Sequence, residues 1–201
     1  MEEIAPGIYH WHATHPRTGG QAHSHFHVPS RTLFDPMVPT EEGLDWFAGG
    51  RQPERIVLTN RHHYRQSADF VERFECPVLC NSAGLHEFEG SDRQVEGIEP
   101  PAELTAGVTA LPVGAICPDE SAVHIESAEP AMVFADGVIR RDGGLDFVSD
   151  GLLGDDPEDI KEGLRAAYRA LLDRDFDILL FAHGEPLVGG GKDALRSFAE
   201  S

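Results

Sequence analysis

The sequence has few basic residues: 16 lysines and arginines stand against 35 aspartates and glutamates, and the formal net charge is −19. Only two of the basic residues are lysines, Lys161 and Lys192. Such a charge repels a phosphate backbone and an anionic lipid surface alike. We therefore expect neither nucleic acid nor a membrane as a partner. A small-molecule ligand or substrate is the expected partner, and a homo-oligomer is left open.

The chain also lacks a cysteine framework and any long apolar run. Its three cysteines, Cys76, Cys80 and Cys117, are odd in number and irregular in spacing, which argues against a disulfide scaffold and indicates reduced thiols. Cys76 and Cys80 flank a short apolar run and are expected in the core. No signal segment opens the chain, and no stretch approaches the ~18 apolar residues of a membrane helix. These absences predict a cytoplasmic protein.

What remains is an ordinary globular composition, 40% hydrophobic and 25% charged, in 201 residues. That length predicts one domain over residues 1–201. The first half is predicted to contain strands at 8–13, 22–28 and 32–34, a helix at 41–48, a strand at 55–59, a helix at 67–74 and a strand at 77–80. Strands that alternate with helices predict an α/β protein with a partly parallel sheet.

The second half returns to strands, the clearest of them at 108–113, 122–125 and 131–135. Acidic residues and Pro157 then open a helix whose apolar positions recur as far as Leu172. The chain is predicted to close with a buried strand at 177–181, a flexible break at 189–191 and a helix at 194–199.

Three of the apolar strands run directly into polar residues. The strand at 55–59 leads into the turn Asn60-Arg61-His62-His63-Tyr64-Arg65, the strand at 131–135 into Asp136, and the strand at 177–181 into His183. Strand ends are where the sites of α/β proteins are built. These three strand ends are therefore the predicted site.

At these residues the chain resembles the metallo-β-lactamase fold superfamily. The resemblance begins with Ile4-Ala5-Pro6-Gly7-Ile8-Tyr9, passes through Arg31-Thr32-Leu33-Phe34-Asp35-Pro36, and ends with Ala182-His183-Gly184. It implies an α/β (α+β) fold, a four-layer αβ/βα sandwich, and a metal-dependent hydrolase of a small ester, thioester or lactone. Asp35-Pro36 resembles a family element that braces the site from below.

The metal-binding motif of that family is only partly present. Where the family has His-x-His-x-Asp-His, this chain keeps His62 but has Asn60, Tyr64 and Arg65 at the other three positions, and Ala115 stands where another ligand histidine is expected. By position, the resemblance leaves His62, Asp136 and His183 as metal ligands. Three groups cannot hold the two cations of a dinuclear site, but they suit one.

Three interpretations of this site follow. In the first, His62, Asp136 and His183 hold one divalent metal, zinc, iron or manganese, with Asp136 and His183 the catalytic candidates. In the second, which is as plausible, no metal binds, and the protein is a non-catalytic ligand-binding or scaffold member of the fold. Metal-free acid/base catalysis by His183 with Asp136 is a third possibility. In each case the residues expected to bind a substrate or ligand are Asn60, His63, Tyr64 and Arg65.

A second set of histidines lies near the N-terminus. His10, His12 and His15 precede the Gly19-Gly20 turn, and His23, His25 and His27 follow it. Alternation along a strand places His23, His25 and His27 on one face, where His10 and His12 could meet them across a hairpin. These histidines could supply replacement metal ligands or form a polar face, and the sequence alone does not set the register of the hairpin.

Overall fold

Each half of the chain builds a β-sheet of its own. The computed structural model describes residues 1–201, and they form two compact units, Met1–Glu99 and Pro100–Ser201. Each unit contains sheet and helix, which confirms the predicted mixed α/β class. The prediction of one domain over residues 1–201 stays a prediction.

The sheet of the first unit has seven strands that lie side by side in chain order. They are β1 (Glu2–Ala5), β2 (Ile8–Thr14), β3 (Gln21–His27), β4 (Thr32–Phe34), β5 (Arg55–Val57), β6 (Val78–Asn81) and β7 (Val95–Ile98). Strands β1 to β4 pair antiparallel, and β4 to β7 pair parallel. The parallel strands therefore all end at the same edge, and the polar residues that follow β4 and β5 are neighbours there.

One face of this sheet carries the hydrophobic core of the first unit. Trp11 and Phe26 on β2 and β3 pack there with Phe47 and with Phe70 of helix α1 (Ser67–Phe74). Cys76 and Cys80 lie in the same core, as predicted, and burial raises the pKa of Cys76 to about 11. Two short 3-10 turns elsewhere in the unit span Arg61–Tyr64 and Ser82–Phe88.

The predicted helix at 41–48 is wrong. The segment forms two short 3-10 turns instead, Leu44–Phe47 and Gly49–Arg51. Gly43 and Gly49 have φ of 62° and 73°, in the left-handed region, so the backbone leaves the helical path on both sides of the first turn. The apolar residues whose spacing resembles a helix include Phe47, which the first 3-10 turn places in the core.

The sheet of the second unit has six strands in the order β15-β14-β11-β10-β9-β8. They are β8 (Ala102–Thr105), β9 (Val108–Pro112), β10 (Ser121–Ile125), β11 (Ala131–Phe134), β14 (Ile178–Phe181) and β15 (Leu187–Val188), and a separate ribbon pairs β12 (Ile139–Arg141) with β13 (Gly144–Asp146). Within the six-stranded sheet only β11 and β14 pair parallel. Their carboxyl ends therefore lie next to each other.

Helix α2 (Pro157–Leu171) is the longest helix and confirms the prediction from the sequence. Asp156 caps it by accepting a hydrogen bond from the Asp159 amide at 3.2 Å, and Pro157 occupies its first turn, where a missing amide hydrogen costs nothing. The helix buries Leu164 and Tyr168 in the core of the second unit.

None of the helices has the length and apolar character that a membrane span requires.

The closing helix α3 (Gly191–Ala199) begins earlier than predicted. Gly191, predicted to lie in a flexible break, is its first residue. A β-carbon at this position would lie 2.6 Å from the carbonyl oxygen of Asp177, so only glycine lets the helix start against that segment.

Candidate functional site

Asp136 and His183 form the pair that the strand ends predict. Strand β11 pairs with β14, and Phe134 lies opposite Phe181. Asp136 follows Phe134 by two positions, and His183 follows Phe181 by two positions. The parallel register therefore brings the two side chains together, with His183 Nε2 3.1 Å from Asp136 Oδ1. The His183 and Asp136 side chains are 41% and 28% exposed, so solvent reaches both.

The residues that follow this pair are glycines for steric reasons. A β-carbon on Gly137 would lie 2.3 Å from the Tyr168 hydroxyl and 2.7 Å from Glu120 Oε1, and a β-carbon on Gly184, at φ 113°, would lie 2.3 Å from the Arg140 carbonyl oxygen. Hydrogen bonds hold both turns: the Gly137 amide donates to Glu120 Oε1 at 2.8 Å, and the Arg140 amide donates to the His183 carbonyl at 3.1 Å. The pair therefore stands on a rigid backbone.

A carboxylate and a phenol that lie next to Gly137 are buried in the second unit. Glu120 is 2% exposed and Tyr168 is 1% exposed. Burial, and next the negative charges of Glu120 and Asp136, raise the pKa of Tyr168 well above its ordinary value. Tyr168 is therefore a neutral phenol throughout the physiological pH range.

The Asp136–His183 pair fits a divalent metal in its chemistry and its spacing. Ligand atoms bound to one cation at about 2.0–2.2 Å lie roughly 3 Å apart, and the distance between His183 Nε2 and Asp136 Oδ1 is 3.1 Å. An imidazole and a carboxylate are ligands that zinc, iron and manganese share. A third protein ligand is needed, since catalytic zinc sites have three.

In the first unit, the polar residues after β4 and β5 form a buried cluster around Asp35. Its Oδ1 accepts a hydrogen bond from the Thr59 amide at 2.8 Å, and its Oδ2 accepts one from the Thr59 hydroxyl at 2.5 Å and lies 3.0 Å from His63 Nδ1. Burial acts to raise the pKa of Asp35, but the positive charges of His63 and Arg65 and the hydrogen bonds from His63 and Thr59 outweigh it, so this pKa is lowered. Asp35 is therefore an ionised, 2% exposed carboxylate that fixes the His63 ring.

The two histidines of the turn have different environments. His62 is exposed, and its amide donates to Asn60 Oδ1 at 2.9 Å. His63 is 5% exposed and held by Asp35. A carboxylate bonded to one ring nitrogen is the usual support of a metal-binding imidazole, whose other nitrogen then takes the metal. Sequence reasoning predicted His62 as the ligand and missed this support, although Asp35 already stood out as a bracing residue.

The other residues expected to bind a substrate have structural contacts within the first unit. Asn60 is 1% exposed, and its side chain caps the 3-10 turn. Tyr64 packs in the core, with the Arg93 guanidinium 4.5 Å from its ring centre. Arg65 donates from Nη1 to the carbonyl oxygens of His23 at 2.6 Å and Asp35 at 2.8 Å. A role for these residues in substrate binding stays a prediction.

The histidine-rich hairpin has a defined register in the structure. His10 lies opposite His25 and His12 opposite His23, so these four histidines share one face of β2 and β3. His15 lies outside this group, where its Nδ1 accepts hydrogen bonds from loop amides, and the Nδ1 atom of His27 is 2.8 Å from the Ser30 hydroxyl.

Comparison with known proteins identifies the fold. No family model and no curated protein matches the sequence. Among solved structures, the metallo-β-lactamase DIM-1 exposed to ceftazidime is 15% identical, with a TM-score of 0.71 over 99% of this chain and 95% of that one. The protein TTHA1623 in a di-iron-bound form is 21% identical, with a TM-score of 0.62 over 97% of each chain.

A third similar structure is the rubredoxin:oxygen oxidoreductase of the anaerobe Desulfovibrio gigas, at 15% identity and a TM-score of 0.66 over 99% of this chain and 60% of that one. The three similarities span nearly all of this chain. The chain therefore has the metallo-β-lactamase fold that its sequence predicts.

Proposed function

We propose that the protein is a metal-dependent, hydrolase-like member of this fold in which Asp136 and His183 provide two ligands of one divalent cation, zinc, iron or manganese. The observation that carries the proposal is the 3.1 Å separation of His183 Nε2 and Asp136 Oδ1 on rigid, solvent-reachable strand ends. A carboxylate and an imidazole at this spacing are two of the three ligands that a mononuclear site needs. The di-iron form of one similar structure is in line with a metal on this fold.

The third ligand is proposed from the sequence motif and from contacts within the first unit. The motif predicts His62, which is exposed. His63 is the alternative, because the buried Asp35 carboxylate holds its Nδ1 at 3.0 Å and so presets the ring as it does for many metal-binding histidines. Metal affinity measured in His62→Gln and His63→Gln decides between the two.

The chemistry of the site divides between the metal and the chain. A bound divalent cation would supply a Lewis acid that polarises a carbonyl oxygen and makes water a nucleophile at neutral pH. The chain's own residues position it: Asp136 and His183 bind, while Gly137 and Gly184 let the backbone fit beneath them. A small ester, thioester or lactone is the substrate class, proposed by analogy of fold.

A metal-free ligand-binding or scaffold protein is the second candidate. Tyr64 and Arg65 occupy motif positions that hold ligands in the family, and both have structural contacts in the first unit. In that case Asp136 and His183 are a hydrogen-bonded pair, and no metal-dependent turnover follows. A metal-free acid/base reaction would need the same pair, since Asp136 would orient the imidazole.

The test is hydrolysis by untagged protein, stripped with chelator and reloaded separately with zinc, iron or manganese. Turnover is measured on a panel of small esters, thioesters and lactones. We expect metal-dependent hydrolysis that falls by roughly 100-fold or more in Asp136→Asn and in His183→Gln. The matched control is Asp146→Asn, an exposed carboxylate of the same unit that pairs with Arg141.

Three results of this assay separate the candidates. Metal-dependent turnover lost in Asp136→Asn and kept in Asp146→Asn supports the hydrolase. Turnover that needs Asp136 and His183 but no metal supports acid/base catalysis instead. Absence of turnover on the whole panel, together with no metal uptake, favours the scaffold.

A further inference from the structure

A surface cavity of the second unit lies at the other end of the strands that lead to Asp136 and His183. Its volume is about 400 Å³, and it is lined by the turn that joins β10 to β11 and by the segment that joins α2 to β14. Strands β11 and β14 begin beside this cavity, whereas Asp136 and His183 follow their ends. A four-residue strand is roughly 13 Å long, so the cavity is separate from the site of the proposed function.

His124, near the end of β10, is the buried polar residue of the cavity. It is 3% exposed, and its Nε2 atom lies 2.7 Å from the carbonyl oxygen of Asp175. A carbonyl oxygen only accepts hydrogen bonds, so Nε2 carries a hydrogen and donates it. In a neutral ring the other nitrogen, Nδ1, then holds a lone pair and is itself an acceptor.

The Nδ1 atom of His124 has no hydrogen-bond donor within the protein. It is buried and makes no hydrogen bond, and Glu126 Oε1, at 3.6 Å, is too distant for one. The Glu126 side chain is 59% exposed, so it can rotate to admit a ligand beside Nδ1. A lone pair and a carboxylate that face each other are complementary to a positively charged N–H donor placed between them.

The charges around the cavity also suit a cation. Three carboxylates and one guanidinium line it, and they belong to Glu126, Asp173, Asp175 and Arg174. Negative groups therefore outnumber the positive one, and the net charge of −19 attracts cations to the whole molecule. The volume lies within the range of about 300–1,000 Å³ that is typical of sites for small organic ligands, and it exceeds what a single ion needs.

We propose that this cavity binds a small organic cation with primary ammonium groups, for which the diamine putrescine is the test ligand. One ammonium group donates to His124 Nδ1 and to the Glu126 carboxylate, and the second lies near Asp173 and Asp175. Pro130 also lines the cavity and offers an apolar surface to the methylene chain. The proposal does not depend on the protein being a hydrolase.

The experiment is a calorimetric titration of the full, untagged chain with putrescine at fixed ionic strength. At pH 8 an ordinary imidazole is neutral and a primary amine is protonated. The reference ligand is the fully methylated, bis-quaternary form of putrescine, which has the same charge and chain length but no N–H donor. We expect one equivalent of putrescine to bind, at least tenfold more tightly than the reference ligand.

Two substitutions test the two acceptors separately. Glu126→Gln should weaken putrescine binding by about tenfold, because it removes the charge of one acceptor. His124→Gln should weaken it to a similar degree, because the glutamine amide can still donate to the Asp175 carbonyl but the Nδ1 lone pair is lost. Glu129→Gln is the matched control, since Glu129 is an exposed carboxylate of the same turn that does not line the cavity.

Imidazole ¹⁵N spectra of the unsubstituted protein provide a measurement that no folding defect can affect. The Nδ1 resonance of His124 should shift when putrescine binds, because this atom gains a hydrogen bond. The resonances of His86, an exposed histidine of the first unit, should stay unchanged.

Putrescine binding that exceeds that of the reference ligand, is weakened by Glu126→Gln and is kept in Glu129→Gln, together with the His124 shift, supports the proposed cavity site. Absence of binding, equal weakening by the two glutamate substitutions, or an unchanged His124 Nδ1 resonance overturns it. None of these outcomes bears on the proposed hydrolase, which is tested by metal-dependent turnover and by substitutions at Asp136 and His183.

Discussion

At the scale of single residues, the candidate site depends on what surrounds its two chemical groups. Asp136 and His183 are each followed by a glycine whose missing side chain leaves room for other atoms. At Gly137 that room holds the Tyr168 hydroxyl and the Glu120 carboxylate, which also accepts the Gly137 amide hydrogen. Moving Glu120 away from Gly137 would break this buried hydrogen bond.

Gly137→Ala is therefore expected to lower the free energy of unfolding by about 2–4 kcal/mol, because its β-carbon would overlap Tyr168 and Leu164. Urea denaturation measures the change. The control is Gly151→Ala, where an added β-carbon has nothing within 4 Å. Equal stability of the two variants would show that the space around Gly137 adapts, against the rigid support described above.

Because the His27 side chain is buried, we expect the protein to lose stability in acid. Burial lowers the pKa of His27 from 6.5 to about 4. The unfolded chain therefore takes up a proton on His27 at a higher pH than the folded chain does. The contribution of neutral His27 to the free energy of unfolding is fully present above pH 6.5 and is lost as the pH falls to 4. The loss amounts to roughly 2–3 kcal/mol at the lower end. Chemical denaturation between pH 7 and pH 4 measures it.

His27→Gln should make the stability curve flatter between pH 6.5 and pH 4, while His86→Gln, at an exposed histidine, should keep the wild-type slope. A slope in His27→Gln as steep as in the wild type would mean that other groups cause the acid sensitivity.

Some properties of the site residues could be predicted from the sequence and others could not. The positions of Asp136 and His183 could be predicted because each directly follows an apolar strand. The different environments of His62 and His63 could not, because they depend on a tight turn capped by Asn60 and on a contact with Asp35, 28 positions away along the chain. Motif position favours His62 as the metal ligand, whereas the sequence predicts His63 as a substrate-binding residue, and only the contact with Asp35 favours His63 as a ligand.

At the scale of elements, apolar periodicity predicted helix α2 and most strands of the two larger sheets. It identified the strands that end at the site, including β11 and β14, whose parallel register brings Asp136 to His183. It failed at 41–48, where glycines with positive φ interrupt a helix-like spacing. It also missed the short, half-exposed strands β1 and β13, because three or four residues give no measurable period.

The cap of helix α2 gives a prediction at this scale. Asp156→Ala removes the acceptor of the Asp159 amide and should cost about 1 kcal/mol of unfolding free energy. Asp155→Ala is the control, since it removes the neighbouring charge and leaves the cap. Urea denaturation of both variants in parallel distinguishes the loss of the hydrogen bond from the loss of a charge near the helix dipole. Equal losses would assign the effect to charge alone.

At the scale of the whole molecule, the fold could be predicted and the reaction could not. The order of strands and polar strand ends along the whole chain predicts the metallo-β-lactamase fold, which the similar structures confirm at 21% identity or less. Those structures include a lactamase and an oxidoreductase, so the fold by itself does not specify the chemistry. Function depends on a few side chains, and the resemblance predicts that several of the motif positions differ here.

The most direct test of the central claim is the metal content of untagged protein, measured by elemental analysis in the wild type and in Asp136→Asn/His183→Gln. The comparison removes any contribution from metal bound by other histidines of the chain, which both proteins share. Our account predicts that the wild type carries about one equivalent more of zinc, iron or manganese than the variant. Equal metal contents in the two proteins would contradict it and leave Asp136 and His183 as a metal-free hydrogen-bonded pair.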